Sequence, residues 1–164
     1  IYYPLSKRSA RLLEVALPDA MEILNVNMIS ALLLSREIFR MLKEGGKRGS
    51  LGCIASVAGK KGSVLSPVDG MSKAAIANLA KSIAREGGTD GIRANAISPG
   101  VMETVMGLQT YPSAQTLDER IKKNVIPRSC RPEEVAHLAA YLLSDHAGYI
   151  TGEDLDLSGG SLIK

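Results

Sequence analysis

Three short apolar runs alternate with helical stretches along the chain, and this alternation limits the folds open to it. The runs cover residues 51–56, 91–98 and 154–157; polar or glycine residues end or follow each of them. Parallel strands cannot be joined by tight turns, so they need crossover connections, usually helices. The pattern therefore predicts an α/β fold with a parallel sheet that helices cover on both faces. Three strands are few for such a sheet.

Helical patterns fill the spaces between the apolar runs. We predict helices over residues 20–43, 69–86, 114–124 and 132–144, a loop over 57–68, and a longer excursion over 101–130. The first helix is apolar around most of its girth, so we expect its own domain and a neighbouring element or subunit to bury it on two sides. The second helix carries five alanines, which would let another element approach closely.

Composition removes several classes of function. The chain has 164 residues, a net charge of +3 and 4% aromatic residues, which is a weak basis for nucleic-acid binding. Cys53 and Cys130 lie too far apart for a metal or redox motif, and His137 and His146 are expected on the surface. With no recognisable leader pattern, we expect a cytoplasmic protein that binds neither nucleic acid nor membrane. Lysine pairs such as Lys60-Lys61 are expected to be solvated loop charges.

A ligand site is expected where the strands end. Ser56 closes the first apolar run, and Ser98-Pro99-Gly100 closes the second. Lys73 stands one turn into the second predicted helix. Ligands of open parallel sheets bind beyond the carboxyl ends of the strands, so these residues are expected to converge on one edge.

At these positions the sequence resembles the short-chain dehydrogenases/reductases. The similarity covers about residues 15–160, and its matching stretches are 25–28, 54–59, 71–76, 92–104, 131–136 and 150–160. The resemblance implies a Rossmann-like doubly wound parallel sheet, incomplete at its N-terminal half. It also implies a single partial domain over residues 1–164, in which 101–130 form the substrate-loop excursion. A truncated chain is expected, because no glycine-rich cofactor loop occurs in it and Ile1 is not a methionine.

The same resemblance assigns catalytic positions. Asn27 matches the asparagine that helps to hold a proton-relay water, and Ser56 matches the serine that hydrogen-bonds the substrate oxygen. Lys73 matches the lysine that contacts the cofactor ribose and lowers the pKa of the active-site tyrosine. Asp69 stands where that tyrosine is expected.

The cofactor implied by the resemblance is NAD or NADP. Pro99, Gly100, Val101 and Thr104 match the segment that meets the nicotinamide and a nearby phosphate, and Lys73 is shared with the catalytic set. The part of the family domain that chooses between the two cofactors has no counterpart in this chain, so we expect weak or absent cofactor binding by the chain alone. Tyr111 lies in the expected substrate loop and is a candidate for contact with a ligand.

Asp69 changes the chemistry that is expected. A carboxyl with the ordinary pKa of about 3.9 is ionised at pH 7 and cannot readily donate a proton to a carbonyl oxygen. Three interpretations stay open: a base for alcohol oxidation, a structural helix cap paired with Lys73 four residues later, or an introduced substitution for a native tyrosine.

Two functions follow from the sequence. The first is hydride exchange between a nicotinamide and a small alcohol or carbonyl substrate, weak or absent in this chain because of Asp69. The alternative is a non-catalytic homologue that acts as a structural partner subunit. The apolar faces of the helices at 20–43 and 70–86 favour a homo- or hetero-oligomer in either case, since in this family the equivalent helices build subunit interfaces.

Overall fold

A three-stranded parallel sheet forms the centre of the molecule. The computed structural model describes residues 10–105, 111 and 113–163. The strands are β1 (Gly49–Ile54), β2 (Ile92–Pro99) and β3 (Asp154–Leu157), in the order β1-β2-β3. Both neighbouring pairs are parallel. The predicted α/β architecture is confirmed, and each predicted strand is present within two residues of its expected bounds.

Helices connect and cover the strands. They are α1 (Leu17–Leu24), α2 (Ser30–Glu44), α3 (Val57–Lys61), α4 (Pro67–Gly87), α5 (Ala114–Ile121) and α6 (Pro132–Leu143). A π-helical turn, Asn25–Ile29, lies between α1 and α2, so the helix predicted over 20–43 is interrupted. The predicted loop over 57–68 contains α3, because the Ser56 hydroxyl accepts a hydrogen bond from the Ala58 amide and caps a helical turn.

One face of the sheet packs against α4. Ile92, Ala94 and Ala96 of β2 are fully buried, and so is Ala80 of α4. Ala77 and Ala84 extend this contact along the helix. The small side chains bring the helix axis close to the strands, as the alanine pattern predicted. This packing fixes the N-terminal turns of α4 relative to the sheet.

The opposite face of the sheet packs against α6. Leu142 is buried beside Ile97 of β2. Arg93, on the same face of β2, donates to the carbonyl oxygens of Leu142 at 2.9 Å, Ser144 at 2.9 Å and Ile150 at 3.2 Å. The guanidinium supplies hydrogen bonds to carbonyl groups at the end of α6 that have no partner within the helix. Its positive charge also interacts favourably with the partial negative charge at the C-terminal end of the helix dipole.

The first long helical segment is largely exposed within the single chain, and its expected burial by a second subunit stays a prediction. Leu32, Leu33, Leu34 and Met41 are each more than two-fifths exposed. Residues 17–44 are long and apolar enough to cross a membrane by length and composition. Only 6% of the most apolar 18-residue window in this segment is buried within the chain. Core helices of soluble proteins pass the same test, and the absence of membrane binding stays a prediction.

An ion pair fixes the start of α6 and makes it sensitive to acid. Arg128 donates to both carboxylate oxygens of Glu134, at 2.6 and 2.8 Å. Together with the Arg131 amide, it lowers the pKa of Glu134 from 4.5 to about 2. Since the folded-state pKa lies below the ordinary value, this carboxylate stabilises the fold above about pH 4.5, and the contribution is lost as the pH falls through 2.

We therefore expect the stability difference between the natural chain and Glu134→Gln to be constant above pH 5. It should shrink as the pH falls from 4.5 toward 2. Urea unfolding at a series of pH values measures it, and Glu133→Gln is the matched control for removing one charge from the same helical turn. A difference that does not change with pH would show that the pair contributes nothing to stability.

Candidate active site

The carboxyl end of β1 leads directly into the first candidate residue. Ser56 has an extended backbone, with φ −168° and ψ 151°, and α3 begins immediately after it. Its hydroxyl oxygen accepts from the Ala58 amide at 3.1 Å. The side chain thus bonds the backbone at the strand end where a ligand is expected. The hydroxyl proton remains available to a second acceptor.

Asp69 lies in the first turn of α4 but does not cap the helix. Ser66 occupies the N-cap position, so Asp69 is the third helical residue, and the predicted start at Asp69 is two residues late. Proline at the first helical position explains the difference, since Pro67 needs no amide partner there. The carboxylate still lies near the positive end of the helix dipole. The structural interpretation of Asp69 is corrected in this respect.

Asn27 is brought to Asp69 from the other long helix. Its Nδ2 atom donates to Asp69 Oδ1 and to Ser72 Oγ, both at 2.9 Å. The Ser72 hydroxyl in turn donates to the Asp69 carbonyl oxygen at 2.7 Å. Ser72 is fully buried. These bonds join the π-helical turn to the start of α4 in a small polar network.

Lys73 extends from α4 toward the sheet. Its Nζ atom donates to the Ile54 carbonyl oxygen at 3.2 Å, at the last residue of β1. The ammonium is therefore close to the segment that leads into Ser56. Asn27 therefore meets Asp69 at the start of α4, while Lys73 lies beside the strand end that leads into Ser56. Their chemical roles stay predictions.

The contact between α3 and α4 depends on a residue without a side chain. A Cβ atom on Gly59 would lie 2.7 Å from the Ala74 backbone nitrogen and 3.0 Å from the Lys73 carbonyl carbon. Atoms of rigid helical backbone cannot move away independently, so an added methyl group must push the helices apart. Gly59 thereby determines how closely the Ser56 segment approaches Lys73.

We expect Gly59→Ala to reduce the free energy of unfolding by about 1–3 kcal/mol, the usual cost of overpacking. The matched control is Gly88→Ala, because a Cβ there meets nothing within 4 Å. That change should be neutral or stabilise by about 0.4–1 kcal/mol. Thermal and urea unfolding of both variants gives the comparison, and equal stabilities would contradict the tight contact.

The segment after β2 is held by backbone bonds. The Gly100 amide donates to Leu157 O at 3.0 Å, and the Cys130 amide donates to Val101 O at 2.8 Å. The Thr104 amide donates to Met102 O at 2.9 Å. Pro99 is the last residue of β2. These four candidate cofactor residues lie beyond a carboxyl strand end, as predicted, while 106–110 and 112 of the excursion are outside the described residues.

A polar network that sequence reasoning missed connects α3 with β2 and β3. Lys60 donates to the Asp154 carbonyl oxygen at 2.7 Å and pairs with Asp156 at 2.5 Å. The Ser98 hydroxyl donates to Asp154 Oδ1 at 2.6 Å. Burial opposes the charge of Lys60, but the two carboxylates outweigh it and raise its pKa. Lys60 is therefore not a solvated loop charge. Two aspartates at alternate positions of one strand were the sequence signal for a cationic partner.

The chain is similar to known proteins in sequence and fold. A family model described as enoyl-(acyl carrier protein) reductase matches residues 4–161. The (3R)-3-hydroxyacyl-CoA dehydrogenase of Rattus norvegicus is 34% identical over 158 residues, which are 93% of this chain and 58% of that protein. This chain belongs to the short-chain dehydrogenase/reductase family.

Other relatives share the fold but are longer than this chain. The 3-alpha-(or 20-beta)-hydroxysteroid dehydrogenase of Mycobacterium tuberculosis (strain ATCC 25618 / H37Rv) is 35% identical over 149 residues, or 91% of this chain and 54% of that protein. A solved structure of a 4-hydroxyisoleucine dehydrogenase mutant complexed with NADH and succinate superposes with a TM-score of 0.90. It is 30% identical and covers 96% of this chain and 65% of its own. The chain thus spans less than two thirds of these relatives.

The residues present fit the nicotinamide side of a short-chain dehydrogenase/reductase. Lys73 places an ammonium at the end of β1, and the segment from Pro99 to Thr104 lies at the end of β2. An ammonium, a threonine hydroxyl and backbone amides are donors suited to ribose hydroxyls and phosphate oxygens. These residues would hold that half of the cofactor, which supplies or accepts a hydride when bound.

Proposed function

We propose that this chain carries the nicotinamide- and substrate-binding side of an NAD(P)-dependent oxidoreductase acting on an alcohol/carbonyl pair. The observation that supports this best is the bond from Lys73 to the end of β1, directly before Ser56, from the same helix whose first turn Asn27 contacts. In this proposal the Ser56 hydroxyl hydrogen-bonds the substrate oxygen, and Lys73 binds the cofactor ribose. Family membership supports hydride transfer as the reaction class. Neither the family nor the site geometry identifies the substrate.

With Asp69 in place of a tyrosine, the site is better suited to alcohol oxidation than to carbonyl reduction. An ionised carboxylate accepts a proton, so it can serve an alcohol that is being oxidised, but it has no proton for a carbonyl being reduced. Its short side chain also leaves the carboxylate next to Asn27, at 2.9 Å, which orients it within the network. We therefore expect weak or absent carbonyl reduction by this chain.

Cofactor titration tests this proposal. NADH and NADPH are titrated against the chain, with binding followed by nicotinamide fluorescence and calorimetry. Saturable binding that weakens severalfold or more in Lys73→Met supports it, because this variant removes the ammonium from the site. The matched control is Lys81→Met, a lysine of the same helix that lies two turns further from the site. No binding of either cofactor at millimolar concentrations would contradict cofactor use by this chain.

A structural partner role is the second candidate, and the exposed helix α2 favours it. Leu32, Leu33, Leu34, Ile38 and Met41 are all exposed large apolar side chains. A surface of this kind is unusual on a monomer and is typical of an interface. Sedimentation of the chain tests it: an oligomer that Leu34→Glu dissociates is expected, and a stable monomer would contradict the role.

A further inference from the structure

A cavity of about 90 Å³ lies between the ends of β2 and β3 and the start of α6. Its walls come from three segments: Val101 comes after β2, Ser158 follows β3, and residues between 126 and 134 lead into α6. The sheet order β1-β2-β3 places the cavity on the far side of β2 from the end of β1, which Lys73 contacts. A space of this size holds several water molecules or a small organic group.

Backbone hydrogen bonds hold the walls of this cavity. The Cys130 amide donates to Val101 O at 2.8 Å, and the Ile126 amide donates to Gly159 O at 2.9 Å. These two bonds tie the segment before α6 to both strand ends, so the walls do not depend on side-chain packing alone. The cavity therefore exists before a ligand arrives, as is typical of small-molecule sites.

Two buried serines line the cavity. Ser129 and Ser158 are each only 7% exposed. Neither hydroxyl has a hydrogen-bond partner within the described residues, and neither oxygen is fully enclosed, so both are reached from the cavity that they line. Buried polar groups normally have a partner. Two such hydroxyls at one cavity therefore indicate that the partner comes from outside the chain.

Arg128 adds a planar pair of donors to the same cavity. Its Nη1 and Nη2 atoms bind the Glu134 carboxylate at 2.8 and 2.6 Å, and Nη1 also donates to Ser129 O at 2.9 Å. A guanidinium has five N–H groups, so the Nε–H and one Nη2–H remain. Neither has an acceptor in the part of the chain that the structure describes. These two groups share one edge of the guanidinium and can bind a planar acceptor group together.

The charges around the cavity favour an uncharged ligand. The Glu134 carboxylate neutralises Arg128. Burial raises the pKa of the Cys130 thiol, and Glu134 acts in the same direction, so this side chain is uncharged at pH 7. An anion would approach Glu134 with no uncompensated cation in the wall to attract it, and an ammonium would meet the guanidinium. The rest of the wall is apolar: Val101, Ile126 and Leu157.

From these observations, we propose that the cavity binds a small molecule that carries an uncharged primary amide. The amide oxygen accepts from the free edge of Arg128, and the amide nitrogen donates to the hydroxyls of Ser129 and Ser158. The aliphatic part of the ligand contacts the apolar wall. This site does not depend on the proposed oxidoreductase function, because none of these three side chains takes part in hydride or proton transfer.

Titration with isobutyramide, followed by ligand-observed NMR on the full chain, tests the site without any turnover. Isobutyrate is the matched control for charge, because it has the same shape with a carboxylate in place of the amide. We expect saturable isobutyramide binding in the millimolar range, which is reasonable for so few atoms, and binding of isobutyrate weaker by about tenfold or more. No saturation with isobutyramide, or equal binding of isobutyrate, would overturn the proposal.

The Cys130 thiol reports whether the amide binds in this cavity. Cys130 lines it, whereas Cys53 is buried in the core between β1 and α4. Iodoacetamide alkylates an accessible thiolate with loss of iodide, and mass spectrometry identifies the labelled cysteine. Isobutyramide should slow the labelling of Cys130 severalfold, over the same concentrations as in the NMR titration. A labelling rate that isobutyramide does not change would place the binding elsewhere and contradict the site.

Variants assign the binding to individual side chains. Ser129→Ala and Ser158→Ala should each weaken isobutyramide binding by about two- to tenfold, the scale of one hydrogen bond. Arg128→Lys keeps the charge but loses the planar edge, so we expect a similar loss. Ser82→Ala is the matched control, since this exposed serine of α4 does not line the cavity, and it should change the affinity less than twofold. Circular dichroism verifies that each variant is folded, and equal affinities in all of them would overturn the proposal.

Discussion

Replacing Asp69 by tyrosine is expected to raise carbonyl reduction by about 10²–10⁴-fold, the usual contribution of a general acid. The phenol would enter the first turn of α4, one helical turn before Lys73, whose ammonium lies near the end of β1. A nearby cation lowers the pKa of a phenol toward neutrality, so the hydroxyl can give and regain a proton. An aspartate at this position has no phenol hydroxyl to do so.

The measurement compares kcat/KM for NADH- and NADPH-dependent reduction across a panel of carbonyl compounds that includes keto acids. Asp69→Phe is the matched control, since it has the ring without the hydroxyl. Both variants also lose the carboxylate that accepts from Asn27, at 2.9 Å in the natural chain, so any effect of that loss is shared. Equal rates for the tyrosine and phenylalanine variants would contradict the proton-donor argument.

The natural chain should differ from Asp69→Asn in the oxidative direction only. Both side chains are similar in shape, and the amide cannot accept a proton as a carboxylate does. A loss of alcohol oxidation in Asp69→Asn would support the base role left open by the sequence, whereas equal oxidation would leave Asp69 with its structural role in the Asn27 network.

Replacing Asn95 by leucine is expected to reduce the free energy of unfolding by about 2–4 kcal/mol. Asn95 is 1% exposed in β2. Its Nδ2 atom donates to Ile150 O at 2.9 Å, and its Oδ1 accepts from the Glu153 amide at 3.1 Å. Leucine has a similar size but no polar atoms, so the Glu153 amide would lose its partner, at about 1–3 kcal/mol. The Ile150 carbonyl oxygen would keep only its longer bond from Arg93, at 3.2 Å, a loss of about 0.5–1.5 kcal/mol.

This loss is a large share of the 5–15 kcal/mol that typically stabilises a domain. Urea unfolding followed by circular dichroism measures it. Asn78→Leu is the matched control, because that residue is exposed on α4 and should change stability by less than about 0.5 kcal/mol. If Asn95→Leu were as stable as the control variant, the two hydrogen bonds from Asn95 to the segment before β3 would contribute nothing measurable to the free energy of unfolding.

Local pattern was enough to predict the elements and the edge of the sheet that carries the site. Short apolar runs separated by helical periodicity reflect burial on each strand and helix, and a parallel sheet places all carboxyl ends on one side. Ser56 and Pro99 could therefore be placed from their positions along the chain. The similarity to short-chain dehydrogenases/reductases, visible in six stretches, agreed with the family model matched over residues 4–161.

Errors in the prediction came from local bonds that compete with periodicity. The polar Asn25–Ile29 turn widens the helix predicted over 20–43 into a π turn, and the Ser56 cap creates α3 where a loop was expected. Pro67 starts α4 before Asp69. At each of these three places the backbone can adopt more than one local conformation, and the surrounding contacts select one. The hydrophobic pattern is the same for both, so it does not predict which one forms.

The sequence by itself determined the order of strands and helices, the ligand edge, the family and the unusual aspartate, because each of these is written in neighbouring residues. Only the tertiary structure decided which side chains meet. Asn27 and Asp69 are 42 residues apart, and Lys60 and Asp154 are 94 apart. Such contacts depend on how α3 and α4 pack on the sheet, and no local pattern encodes that distance.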